Sequence, residues 1–271
     1  MTGRVSARGV PVASAWTRVE LALAAVLLAL AGVSWLVTAG VAMPDMRVGV
    51  LTGPPPDAMA METGVGPAAF GLFLATWLVM MAAMMLPAIV PFTAGLAVLL
   101  PDGARSRSRL LPLTAGYLLV WGLAGVLAFL LLRGFETATV SGTPQAVRVG
   151  AVVLLVAGAF QFTPLKRWCL VRCRSPLALV MRHGDRAASS HLGALLVGTR
   201  HGGYCLGCCW ALMAVLLAVG VMNLAWMALV AAVITVEKVL PRGELLSLLL
   251  GGALVSAGAV LLAVPGLLIP A

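Results

Sequence analysis

The chain has 271 residues, of which 62% are hydrophobic and only 10% carry a charge. Its mean hydropathy is +1.08. Soluble domains are about 45–50% apolar, so this composition excludes a soluble globular enzyme, and the excess of apolar residues also excludes a disordered chain. Lys and Arg number 18 against 9 Asp and Glu, a net charge of +9. Most basic residues flank apolar runs, which indicates orientation in a membrane rather than nucleic-acid binding.

Apolar runs long enough to cross a bilayer recur along the whole chain. A helix needs about 20 mostly apolar residues to span the hydrocarbon core. The sequence therefore predicts an all-α, polytopic transmembrane helix bundle that forms a single integral membrane domain over residues 1–271. The seven predicted spans are 19–41, 67–90, 111–132, 147–163, 195–219, 222–240 and 245–265.

The second apolar run differs from the others because it continues to Leu100 and contains Pro87 and Pro91. A proline inside a helix removes a backbone donor and kinks or ends the helix. We therefore expect one crossing followed by a bent helical extension.

The basic residues fall mainly on alternate connections, at 4–18, 105–109, 166–186 and 238–242. Cytoplasmic loops are enriched in Lys and Arg, so the N-terminus is predicted to be cytoplasmic and residues 164–190 to form a cytoplasmic connection. The first apolar stretch exceeds the roughly 7–15 residues of a signal peptide, which favours its retention as a membrane helix.

The densest group of reactive side chains is His201, Cys205, Cys208 and Cys209, within the run HGGYCLGCC. At about 100° per residue, His201, Cys205 and Cys208 share one face of a helix, with Cys209 at its edge. This face lies on the predicted cytoplasmic side, where thiols stay reduced. A metal or catalytic site is therefore favoured over a structural disulfide.

Two further groups of soft donors fall on the same predicted side. Cys169 and Cys173 follow the fourth predicted span with i,i+4 spacing. Met80 and Met84 belong to a methionine cluster in the inner half of the second span. Thioethers suit Cu(I), although methionine is also a common filler of helix interfaces.

One acidic residue, Glu237, lies at the inner end of the sixth predicted span. A carboxylate inside a span is energetically expensive and marks a candidate functional site. An ion pair with a basic residue such as Arg200 or Lys238 explains it equally well. At a metal site we expect Glu237 to interact with the metal ligands rather than with the metal ion itself.

One helix face cannot surround a metal ion, because its side chains approach from one side only. Zinc takes four tetrahedral ligands, whereas Cu(I) accepts two or three soft donors. We therefore predict a shared site in which the thiols of the two cysteine groups face each other. The predicted metal-binding set is Cys205, Cys208, Cys209, His201, Cys169, Cys173, Met80, Met84 and Glu237.

Four stretches of the chain carry a resemblance to a known family. They are Met80–Pro91, Gly116–Gly122, Gln161–Pro176 and Arg200–Lys238. Together they resemble a bacterial family of predicted metal-binding integral membrane proteins, a domain-of-unknown-function family, over roughly residues 65–245. The resemblance implies a multi-pass protein of the bacterial inner membrane that binds metal and has no established reaction. The cysteines, His201 and Glu237 match the family's thiol and polar positions.

The predicted function is binding of a soft metal ion, copper (Cu(I)) ahead of zinc. Because the outer halves of the spans offer almost no polar path, delivery, assembly or storage is favoured over transport. The expected partners are the metal ion and the lipid bilayer, and a protein partner or a homo-oligomer is left open. No phosphate-binding loop, nucleophile elbow, zinc-protease motif or nucleic-acid module occurs, so we expect no enzyme and no nucleic-acid partner.

Two alternative functions are compatible with the same cysteines. Cys205 and Cys208 form a Cys-x-x-Cys pair that a membrane thiol oxidoreductase could use. Buried free cysteines also behave as small hydrophobic residues, which suits a structural membrane assembly subunit without metal.

Overall fold

The computed structural model describes residues 18–41, 66–99, 108–138, 144–174, 185–187, 189–219, 223–240 and 243–264. This part of the chain contains helices and short turns and no strand, which confirms the predicted all-α class there. The helices are α1 (Arg18–Val41), α2 (Pro67–Leu99), α3 (Leu110–Ala138), α4 (Pro144–Gln161), α5 (Pro164–Arg174), α6 (His191–Val219), α7 (Leu224–Val239) and α8 (Gly243–Ala263). The basic N-terminal tail and residues 175–184 of the predicted connection lie outside the described residues.

Five helical segments among the described residues are long and apolar enough to cross a membrane. They are Leu21–Gly40, Pro67–Val90, Leu110–Gly134, His191–Val219 and Gly243–Ala263. The bent pair formed by α4 and α5 makes six if it counts as one span. The predicted span 222–240 is α7, which has only 16 residues. Five or six candidate spans are thus supported, the count of seven is not confirmed, and the orientation stays a prediction.

Helix α7 is short because its ends are fixed by local sequence. The side-chain oxygen of Asn223 accepts hydrogen bonds from the backbone N–H groups of Ala225 and Trp226, at 3.0 and 3.2 Å. This is N-capping, which satisfies donors that have no partner within the helix. At the other end, Leu240 leaves helical geometry directly before Pro241, as residues preceding proline tend to do.

Helix α2 continues through both of its prolines and ends at Leu99. The predicted helical extension beyond one crossing is therefore present, and neither Pro87 nor Pro91 ends the helix. Interior prolines are tolerated when neighbouring helices pack around the freed backbone groups. Met84, Leu86, Ile89 and Phe92, which surround the prolines, are all buried.

The chain bends by 66° between α4 and α5. The Thr163 hydroxyl accepts a hydrogen bond from the Lys166 backbone N–H at 3.3 Å, and Pro164 occupies the first helical position. A threonine N-cap followed by proline is a strong helix start, so a second helix begins here at a new angle. The predicted connection 164–190 therefore opens with a helix.

Helix α6 lies at the centre of the bundle and packs against α3, α4, α5 and α7. A Cβ atom on Gly198 would collide with the carbonyl oxygen of Leu113, and one on Gly202 would stand 3.1 Å from that of Tyr117. Small residues allow such close approach of helix backbones. The close contact fixes the register of α6 on α3.

Helix α2 runs antiparallel to α3, and α3 runs parallel to α6. The contacts that establish these directions are Phe70–Phe129 and Trp77–Gly125 for the first pair, and Leu113–Gly198 and Tyr117–Gly202 for the second. Following the first register along α2 brings Met84 about level with Tyr117. The methionine cluster and the cysteines of α6 therefore lie at similar depth.

Candidate metal centre

Helix α5 presents one buried face to the bundle. Its buried residues are Lys166, Cys169, Leu170 and Cys173. These positions follow the i, i+3, i+4, i+7 pattern of an amphipathic helix, so both cysteines turn inward together with the lysine. Helix α5 packs mainly on α6, which carries the other three cysteines.

Four buried cysteines form a group that we term the thiol cluster: Cys173 of α5 and Cys205, Cys208 and Cys209 of α6. The Cys173 thiol lies close enough to the thiols of Cys205 and Cys208 to interact with both. The thiols of the two helices therefore face each other. Cys169 lies beside the cluster, where its sulfur is 2.7 Å from the position that a Cβ on Gly207 would take.

The thiols of the thiol cluster are not all directed toward one shared position. The Cys208 and Cys209 thiols both donate to the backbone carbonyl of Cys205, at 3.1 and 2.9 Å. Among the described residues, no three His, Cys, Asp or Glu side chains form a ready-made metal-binding group. Rotation about the Cα–Cβ bond, between staggered positions, would be needed to turn these thiols toward a shared ion.

Two residues that the sequence analysis did not assign to the site contact Cys205 directly. The Lys238 ammonium donates to the Cys205 sulfur at 3.0 Å, and the Tyr117 hydroxyl lies 3.0 Å from the same sulfur. Tyr117 is completely buried and is one of only two tyrosines in the chain, a signal that could have drawn attention to it. From the sequence, Lys238 was assigned to the basic residues that orient the chain and to the candidate partners of Glu237, but not to the metal site.

His201 lies one helical turn before Cys205 and is buried. Its ring stacks on Phe92 of α2, with centroids 4.1 Å apart and planes 3° from parallel. Its Nδ1 atom is buried and has no hydrogen-bond partner among the described residues. Burying an imidazole nitrogen without a partner costs free energy. This atom is therefore available to form a hydrogen bond or to bind a metal ion.

Met80 and Met84 are each only 1% exposed and belong to the same hydrophobic core as the five cysteines. This burial suits the packing role of methionine as well as a role in metal binding. Direct ligation by either thioether stays a prediction.

Glu237 pairs with a basic residue, as one of its two interpretations expected, and this partner is Lys166 of α5. Its Oε2 accepts from the Lys166 ammonium at 2.8 Å, and its Oε1 accepts from the Ser247 hydroxyl at 2.8 Å. Successive residues of a helix point about 100° apart, so Glu237 faces α5 and α8 while Lys238 faces α6. With both oxygens already bound, Glu237 supports the helices around the thiol cluster.

In its described part the chain combines an all-helical fold, several apolar helices of membrane-spanning length and a buried cluster of soft donors. The sequence model of the copper chaperone family PpoB2 matches residues 74–261, which include every predicted ligand. Because this match covers more than half of the chain, the protein belongs to that family. The match confirms that the chain belongs to a metal-related family. It does not confirm the family of integral membrane proteins named in the resemblance above. No curated protein and no solved structure matches the chain.

Proposed function

We propose that this protein holds Cu(I) as cargo between Cys205 and Cys208 of α6 and Cys173 of α5, and passes it to a client protein. We propose further that it does so as a multi-pass protein of the bacterial inner membrane, with this site on the cytoplasmic side. The main support is the meeting of buried thiols from two helices in a chain of a copper chaperone family. The proposal assigns no catalysed reaction to the chain.

The donor set favours Cu(I) over zinc. Cu(I) binds two or three soft ligands, and thiolates and thioethers are the softest donors that proteins offer. Structural zinc is bound by four ligands in tetrahedral geometry. The nearby carboxylate of Glu237 already binds Lys166 and Ser247 through its two oxygens, which leaves sulfur as the dominant donor.

The charges around Cys205 also suit a copper thiolate. Two or three thiolates bound to one Cu(I) ion carry a net negative charge, which is costly to bury without a counter-ion. The Lys238 ammonium lies 3.0 Å from the Cys205 sulfur and offsets part of that charge. Hydrogen bonds to an ionised acceptor are stronger than neutral ones, so Lys238 and Tyr117 would hold the Cys205 thiolate in place.

Delivery or storage fits the distribution of donors along α6 better than transport does. Beyond Trp210, the segment Ala211–Val219 contains no cysteine, histidine or carboxylate. A transported ion needs polar groups along its whole path. A site limited to one depth of the bundle instead releases its ion toward the side from which it was loaded.

Copper retention by the purified full-length protein tests the proposal. The wild type, loaded anaerobically with Cu(I) in detergent, should keep about one copper per chain, and Cys205→Ser/Cys208→Ser should lose most of it. Met213→Leu is the matched control, since it removes a buried sulfur from the outer part of α6. Equal copper in the wild type and the double variant would exclude this site. A Cys205–Cys208 disulfide trapped in growing cells would favour the thiol oxidoreductase instead.

Reporter fusions test the membrane part of the proposal. A reporter after residue 178 should report the cytoplasm, and one after residue 55 the opposite side. A fusion at 178 that reported the outer side would contradict both the orientation and the reduced state expected of the thiols.

A further inference from the structure

We propose that the buried ion pair between Lys166 and Glu237 is a positioning device that holds Cys173 against Cys205 and Cys208. On this view the pair decides whether a bound copper ion takes its sulfur ligands from two helices or from one. The inference rests on the proposed copper function, but its geometric part can be tested without metal.

Helix α5 needs such a device because it is short and joined to α4 by a sharp bend. It has 11 residues and begins after the 66° break. Its buried face consists of only four residues. Apolar contacts alone would allow a helix of this size to slide or rotate on its neighbour. Lys166 lies two turns before Cys173 on that same face, so fixing Lys166 also fixes the rotation that points Cys173 at α6.

The ion pair is fully enclosed. The side chains of Lys166 and Glu237 are 1% and 2% exposed, and their charged atoms are 2.8 Å apart. The second oxygen of Glu237 is held by Ser247 of α8 at 2.8 Å. Glu237 therefore cannot turn away from α5 without losing a second hydrogen bond, and α5 is tied to both α7 and α8.

Stability alone does not explain why two charges are buried here. Apolar residues of similar volume at such positions often leave a protein as stable as before or more stable. The better-attested use of a buried polar pair is to select one register among several that apolar packing would accept. The register at issue here is that of α5 on α6.

The adjacent residue of α7 strengthens this interpretation. Glu237 holds α5, and Lys238 donates to Cys205 of α6. One helix end therefore contacts both of the helices that carry the thiols. The distance between Cys173 and Cys205 is set through these two neighbouring side chains.

The decisive variant is Lys166→Met/Glu237→Leu, which removes both charges together and leaves neither one buried alone. In a background that keeps only Cys173 and Cys205, cross-linking by dibromobimane, which fluoresces once both thiols have reacted, should fall roughly fivefold or more. In the otherwise unchanged chain, the number of sulfurs around Cu(I), measured by X-ray absorption, should fall from three to two. Thermal unfolding and size-exclusion chromatography establish that the variant is folded.

The matched control is Arg167→Met/Glu244→Leu. This pair also joins α5 to α8, at 3.2 Å, but its side chains are 70% and 40% exposed. Exposed ion pairs contribute little, so cross-linking and the sulfur number should stay at the wild-type level. A fall as large as that of the buried pair would overturn a specific role for Lys166 and Glu237.

A folded Lys166→Met/Glu237→Leu variant with wild-type cross-linking would also overturn the inference. If that variant does not fold, Glu237→Gln takes its place, because it keeps the shape and a hydrogen bond but removes the charge. Unchanged cross-linking in Glu237→Gln would contradict the proposal, and an intermediate loss would support it. A wild type that binds no copper would refute the proposed function, while the cross-linking result would still decide the positioning role.

Discussion

The middle segment of α6 (residues 201–209) and its C-terminal segment (residues 211–219) are both largely buried, but they are buried by different means. From His201 to Cys209 the helix packs through thiols, an imidazole and glycines, and these side chains meet polar groups of three other helices. From Ala211 to Val219 it packs through apolar side chains only. Leu212, Met213 and Leu216 continue the core that contains the cysteines, and Ala211 and Val215 join a second core with Ala151 and Leu154. Apolar packing alone is therefore sufficient to hold the C-terminal segment of α6 in place. The soft donors of the first segment are therefore better explained by function than by stability.

The largest effect on stability is expected where the backbones of α3 and α6 touch. In Gly198→Ala, the new methyl group collides with the Leu113 carbonyl, and we expect a loss of about 3 kcal/mol of unfolding free energy. Gly203→Ala is the control, since a Cβ there meets nothing within 4 Å. Thermal unfolding in detergent measures both, and equal unfolding temperatures would contradict the close helix contact.

The next effect concerns copper rather than stability. Lys238→Gln removes the positive charge beside Cys205, so the buried copper thiolate loses its counter-ion, and we expect about tenfold weaker Cu(I) binding. Competition with a chromophoric Cu(I) chelator measures the affinity. Lys238→Arg keeps the charge and should retain most of the binding. An affinity of Lys238→Gln equal to that of the wild type would mean that the lysine only packs.

The smallest effect is expected in the C-terminal segment of α6, Ala211–Val219. Val215→Ala leaves a small cavity in the second core and should cost about 1 kcal/mol of unfolding free energy. Its copper content should equal that of the wild type, because no donor group is involved. A loss of copper in this variant would contradict the distinction between the middle and the C-terminal segment of α6.

The features that sequence alone predicted are those with a local cause. The shared face of His201, Cys205 and Cys208 follows from helical spacing, and the inward turn of Cys169 and Cys173 follows from the same rule. The opposition of the two cysteine groups was predicted from their shared side of the membrane. The site assignment itself stays a prediction until metal binding is measured.

The features that sequence missed depend on contacts between distant parts of the chain. Lys166 and Glu237 are 71 residues apart, and Tyr117 and Cys205 are 88 apart. Lys166 had been counted as a loop residue, because the Thr163 cap that starts a new helix there was not recognised. The predicted span 222–240 is a helix of only 16 residues in the structure, since hydropathy does not register the Asn223 cap at which α7 begins.

X-ray absorption of the full-length wild-type protein loaded with Cu(I) measures directly whether α5 and α6 share one copper site. We predict about one copper per chain, surrounded by sulfur alone, with three sulfurs in the wild type and two in Cys173→Ser. Copper bound mainly through nitrogen or oxygen, or a sulfur number that Cys173→Ser leaves unchanged, would contradict a site shared between α5 and α6.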